Sequence, residues 1–82
     1  MNERLQATSY GHAVAVTPSD STALAIPARA LFVGGAGTIT LDTTGGEVGV
    51  LFSAVPAGAT ITLGVTKVHA TGTTASGIVA LR

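Results

Sequence analysis

The sequence predicts an all-β fold: a small antiparallel β-sandwich, jelly-roll-like, of six to seven short strands. Three observations carry that prediction. Apolar and polar residues alternate with period two over several short stretches, glycine or proline separates the stretches, and the three-and-four spacing of an amphipathic helix is hard to find. The apolar residues are mostly alanine and valine, and threonine dominates the polar positions between them. Threonine's branched β-carbon suits a pleated strand, and its hydroxyl keeps an outer face wet without formal charge.

Taken in order, "HAVAV" at 12–16 is the first strand candidate and "RALFV" at 29–33 the second. Between them "TPSDSTALAIPA", residues 17–28, is a wide excursion bounded by prolines. The capping-box pattern from Thr17 to Asp20 could start a short helical turn there, but Pro27 and the few apolar residues after Asp20 disfavour it, and Asp20 is placed to cap its own turn. Gly34, Gly35 and Gly37 then read as the positive-φ positions of a hairpin leading into "GTITLD". In that strand Ile39 and Leu41 share one face, and Thr38, Thr40 and Asp42 the other. "TTGG" at 43–46 closes a hairpin into "EVGVLF" at 47–52. "VPAG" at 55–58 has the proline and glycine placement of a type I turn.

"TITLGVT", residues 60–66, turns Ile61, Leu63 and Val65 inward. The parity then slips, because Lys67 would point inward before Val68, and a bulge near Thr66 repairs it. "ATGTTASG" at 70–77 is a polar loop before the last strand, "GIVAL" at 77–81. Residues 30–33 and 78–81 are apolar on both faces, as in strands covered on two sides or lying against a neighbouring subunit. Phe32 and Phe52 read as core. Residues 1–12 lack alternation and form an N-terminal arm, ordered by whatever binds it, ahead of a sandwich domain over 13–82.

Composition narrows the function. A single domain of 82 residues buries only about 60 to 65% of its unfolded surface. Without cysteine, neither disulfides nor a thiolate zinc site can supplement that core. Charged residues are 10% of the chain and apolar ones 46%, against about 25% charged in an ordinary domain. So uncharged a surface is suited to partners, and association with further copies of itself is expected.

Arg4, Arg29, Lys67 and Arg82 balance Glu3, Asp20, Asp42 and Glu47, all scattered, so no footprint for nucleic acid exists. The opening "MNERLQATSYGH" lacks the apolar stretch of a secretory signal, and no run suits a membrane helix. An outer-membrane barrel fits poorly without aromatic girdles. Synthesis in the cytoplasm and no membrane partner are expected.

Chemistry finds little to work with. In "VGGAGTIT" a dinucleotide loop would need glycine where Thr40 stands and a helix where a strand follows, and no glycine-lysine-serine/threonine triplet marks a phosphate loop. His12 and His69 are the only histidines and have no cysteine to join in a metal site. Ser9, Ser19, Ser21, Ser53 and Ser76 lie outside any G-x-S-x-G elbow. The expectation is no catalytic residue, no metal and no cofactor, hence no enzyme.

The segments "AVTPSDSTALA", "RALFVGGAGTITL", "VPAGATITLGVTKV" and "ATGTTASGIVAL" resemble the head-spike base proteins of tailed bacteriophages and gene-transfer agents. The resemblance spans roughly residues 13–82. It is most specific at Thr17-Pro18-Ser19-Asp20, at Leu31-Phe32-Val33-Gly34-Gly35, and from Val68 to Thr74 with Ile78 following. Residues 1–12 fall outside it, and the step from Asp42 to Val50 is short for the pattern.

The resemblance implies a virion structural protein on the outer capsid surface, synthesised in the host cytoplasm, that forms a ring at the icosahedral vertices and anchors a head fibre. Its partners would be itself, as a pentamer in preference to a trimer, the major capsid protein, and a fibre protein where one exists. Arg4, Leu5 and Tyr10 on the arm are the candidate capsid contacts. Thr71, Thr73 and Thr74 are the candidate fibre-facing loop residues. Two other readings remain open. One is a cement protein bound as trimers over the whole lattice. The other is a carbohydrate-binding host-attachment module, which the scarcity of aromatics disfavours.

Overall fold

The computed structural model describes residues 10–82 and, among them, holds seven strands and no helix. These are β1 (Ala13–Ala15), β2 (Ala30–Gly35), β3 (Gly37–Thr43), β4 (Val50–Val55), β5 (Ala59–Ile61), β6 (Val65–Val68) and β7 (Ser76–Leu81). They form two antiparallel sheets, ordered β1-β7-β2-β5 and β4-β3-β6. The sheets enclose one core around Leu31, Val33, Ile39, Leu41, Val65 and Ile78. Alternation places those side chains: in β3, Ile39 and Leu41 are buried, while Thr38, Thr40 and Asp42 lie half-buried on the outer side. The fold is the all-β sandwich that the alternation predicts.

Several local expectations change. Gly34, Gly35 and Gly37 do not make a hairpin, because β2 and β3 belong to different sheets. They form a corner where the chain crosses over the core, pressed against the stretch that enters β7. A Cβ on Gly34 would lie 3.1 Å from the Gly77 carbonyl oxygen, and one on Gly37 2.6 Å from the Ala75 nitrogen. Close approach selects glycine here.

"TITLGVT" is likewise two strands in two sheets, β5 and β6, and its inward parity survives the crossing because both sheets face the same interior. The hairpin through "TTGG" forms between β3 and β4, but Glu47, Val48 and Gly49 stay in its loop and β4 starts at Val50. The turn after β4 is shifted by one residue. Ala59 donates to the Pro56 carbonyl at 3.2 Å, and Gly58 takes a φ of 81°, the third position of a type II turn.

The expected bulge sits at Thr66: Asp42 pairs with Lys67 and Thr43 with Val65, leaving Thr66 without an opposite residue. A second irregularity lies in β4, where Gly37 faces Val55 but Ile39 faces Phe52, so β4 holds one residue more than β3. Ala54 in that bulge has a φ of 58°. An L-residue in this conformation is strained by roughly 1 to 2 kcal/mol, and glycine is not. Ala54→Gly is therefore expected to stabilise the protein by about 0.5 to 1 kcal/mol, after offset by the looser unfolded chain. Urea unfolding with an unchanged denaturant slope measures it, and a loss of stability would refute the strain.

The 17–28 excursion contains no helical turn. The Ser19 hydroxyl accepts from the Ser21 and Thr22 amides at 3.3 and 3.1 Å, which uses the local donors without winding a helix. The segment runs antiparallel along β6, donating from Ser19 to Val68, from Leu24 to Thr66 and from Ala28 to Val65. The outer edge of β6 is thereby covered.

Candidate interaction surfaces

On the outer side of the three-stranded sheet, cross-strand pairing brings Asp42 of β3 opposite Lys67 of β6, with their charges 3.7 Å apart. His69 follows Lys67 by two residues. Its Nε2 lies 2.7 Å from Asp42 Oδ1, and its Nδ1 is 3.6 Å from Asp20 Oδ1. The Gly49 amide donates to Asp42 Oδ1 at 2.9 Å, and Lys67 Nζ donates to the Asp20 carbonyl at 3.2 Å. One imidazole thus links the excursion, β6 and the β3–β4 hairpin. Both of its nitrogens face carboxylates, so neither is turned toward a hydroxyl nucleophile. The carboxylates stand on opposite sides of the ring, and among the described residues no three histidine, aspartate or glutamate side chains gather as for a metal ion.

Asp42 is held below the usual carboxylate range, first by the His69 hydrogen bond and then by the Gly49 amide. Asp20 is lowered too, chiefly by the Thr71 hydroxyl and amide. A lowered folded-state pKa means that the unfolded chain binds more protons, so this stabilisation is complete above about pH 3.9 and is lost as the pH falls below it. The thermal midpoint is expected to drop in that window, and to drop less in Asp42→Asn. An equal drop in the variant would rule out Asp42 as a source.

The predicted loop residues are tied to the body. Thr71 donates from its amide and hydroxyl to the Asp20 carboxylate at 2.9 and 2.6 Å. The Thr73 hydroxyl accepts from the Thr40 amide at 3.0 Å, and that of Thr74 from the Thr38 amide at 2.8 Å. The hydroxyls of Thr38 and Thr40 both reach the Gly72 carbonyl. Asp20 therefore binds a loop 51 residues away instead of capping its own turn. Thr71 and Thr74 remain exposed and Thr73 is half-buried.

Of the predicted arm residues, Arg4 and Leu5 lie outside the described residues. Tyr10 is half-buried, with the Arg29 guanidinium 5.3 Å from its ring centre. Arg29 immediately precedes β2 and donates to the Leu81 carbonyl at 2.8 Å, where β7 ends. The 70–75 loop lies where β7 begins and β2 ends. The arm root and the threonine loop thus occupy opposite poles, about 20 Å apart along the six residues of β2.

Phe32, expected in the core, is 38% exposed. It stands on the outer face of the four-stranded sheet between Val79 and Thr60, because Leu31 and Val33 on either side of it take the inward positions. Strict parity within "RALFV" was the signal for this. Phe52 does pack against the core. Among the described residues, the other large apolar side chains left exposed are Val14, Ile26, Val48 and Leu51.

No family model and no curated protein matches the chain. A solved structure does. A chain in the structure described as the capsid of a native gene-transfer-agent particle, computed with C5 symmetry, is similar with a TM-score of 0.81 and 36% sequence identity, over 93% of this chain and 87% of that one.

Proposed function

The chain belongs to the family of that gene-transfer-agent capsid protein and is a structural protein of a virion-type capsid, and from this premise we propose that it is a spike base. In this reading it sits on the outer capsid surface, forms a ring at the icosahedral vertices and anchors a head fibre. The observation that carries the reading is 36% identity across 93% of the chain to a component of a capsid. A ring at a fivefold vertex calls for five copies, so the reading carries a pentamer in preference to a trimer.

The poles support a division of labour. The arm, through Arg4, Leu5 and Tyr10, meets the major capsid protein at one end. Thr71, Thr73 and Thr74 present a fixed loop to the fibre at the other. The role is binding, without catalysis or cofactor, and the low charge suits broad apolar contact. Repeated symmetric contacts would raise avidity by on the order of 100-fold or more over one contact, so each can be weak.

The test is to add the purified protein to capsid shells that lack it and to image the particles. Five copies at each vertex, with binding lost on deletion of residues 2–10, is the expected outcome. Trimers spread over the lattice would replace the reading with a cement protein. Absence from the shell together with a signal on a glycan array would replace it with host attachment.

A further inference from the structure

Among the described residues, four of the five exposed large apolar side chains fall into two patches on opposite lateral sides of the sandwich. Val14 and Ile26, 42% and 54% exposed, line a shallow groove of about 60 Å³ together with Leu24, Ala80 and Arg82. Val48 and Leu51, 75% and 58% exposed, project from the β3–β4 hairpin loop and the start of β4.

The topology sets the patches apart. β1 ends the order of its sheet and leads into the segment that covers β6, so the groove lies on the β1–β6 side. β4 ends the other sheet at its opposite border and reaches β5 through the turn at Pro56–Ala59. A single copy cannot bring its own hairpin to its own groove.

Size and charge indicate what fits. The groove is far below the roughly 300 Å³ at which small-molecule pockets begin, and suits the end of an aliphatic side chain. Arg82 stands in its lining. Glu47 stands beside Val48, its carboxylate held by the Thr43 hydroxyl. We propose that the Val48–Leu51 hairpin of one copy seats in the Val14–Ile26 groove of a second copy, with Glu47 facing Arg82 across the contact. Joining hairpin to hairpin or groove to groove would oppose like charges, so the contact is head-to-tail. Repetition of such a contact closes into a ring when the rotation allows it. The inference rests on the ring reading above for that closure.

The experiment measures the mass of the full chain in solution by sedimentation, with circular dichroism as the check on folding. Leu51→Asp and Ile26→Asp are each expected to weaken association by about tenfold or more, as are Glu47→Arg and Arg82→Glu alone. Glu47→Arg combined with Arg82→Glu restores assembly. A mixture of Leu51→Asp and Ile26→Asp chains, each with one intact surface, stops at pairs. A wild-type chain that remains monomeric at its solubility limit overturns the proposal, and so does assembly that survives all four single changes or a double swap that fails to restore it. Binding to capsid shells, measured separately, distinguishes the failures. A monomer that still decorates shells removes only the head-to-tail contact, whereas a ring that ignores shells removes only the spike-base reading.

Discussion

Leu41→Ala is expected to lower the stability of the protein by about 3 to 4 kcal/mol. Leu41 has no exposed surface and sits on β3, the middle strand of its sheet, between Val50 of β4 and Val68 of β6. Strands on both sides fix the backbone, so the space left by the missing carbons cannot close and the cavity cost adds to the lost burial. A domain of this size has a total stability of roughly 4 to 12 kcal/mol. Much of it would disappear, and the thermal midpoint would fall by about 12 °C or more. Urea unfolding at constant slope reads the change. A loss under about 1 kcal/mol would mean that the two sheets can collapse onto each other, contrary to a fixed core.

Gly37→Ala is expected to cost about 3 kcal/mol although it adds one carbon. That carbon would lie 2.6 Å from both the Ala75 nitrogen and the Thr74 hydroxyl oxygen, and 2.8 Å from the Thr74 carbonyl carbon. Most of what it meets is backbone, which cannot rotate away. The 74–75 backbone must lift from β3, breaking the hydrogen bonds that the Thr74 and Ala75 amides donate to the Thr38 carbonyl, at 2.9 and 3.1 Å. Amide hydrogen exchange should show those two protons losing protection before the core strands do. Gly11→Ala is the control, since nothing lies within 4 Å of a Cβ there, and its effect should stay within about 0.5 kcal/mol. Equal effects at the two positions would discount the close packing at the corner.

Local chemistry made the strands legible. Period two located β3, and the misplaced parity of Lys67 pointed to an extra residue at Thr66, because a half-buried strand cannot hide such a slip. What escaped depends on distance along the chain. A glycine cluster between two strands reads as a hairpin when the strands pair and as a corner when they do not, and only Gly77 and Ala75, some 40 positions later, decide which. Asp20 has the local signature of a cap, but Thr71 offers it two donors, and one acid cannot serve both ends. The His69–Asp42 pair was half visible. Alternation turns Asp42 outward beside the threonines, whereas the pairing of β3 with β6, which no local pattern specifies, brings His69 to it.

Dissolved salt acts unequally on the two ways in which this protein ties down its outer segments. At 1 M ionic strength the reach of a charge in water shrinks to about 3 Å, and partly buried pairs feel this less, so the Lys67–Asp42 attraction at 3.7 Å is weakened in part. The Thr38, Thr40, Thr73 and Thr74 bonds join neutral groups, and screening leaves them almost untouched. From dilute buffer to brine, the threonine pole should therefore keep its shape while the lysine side relaxes.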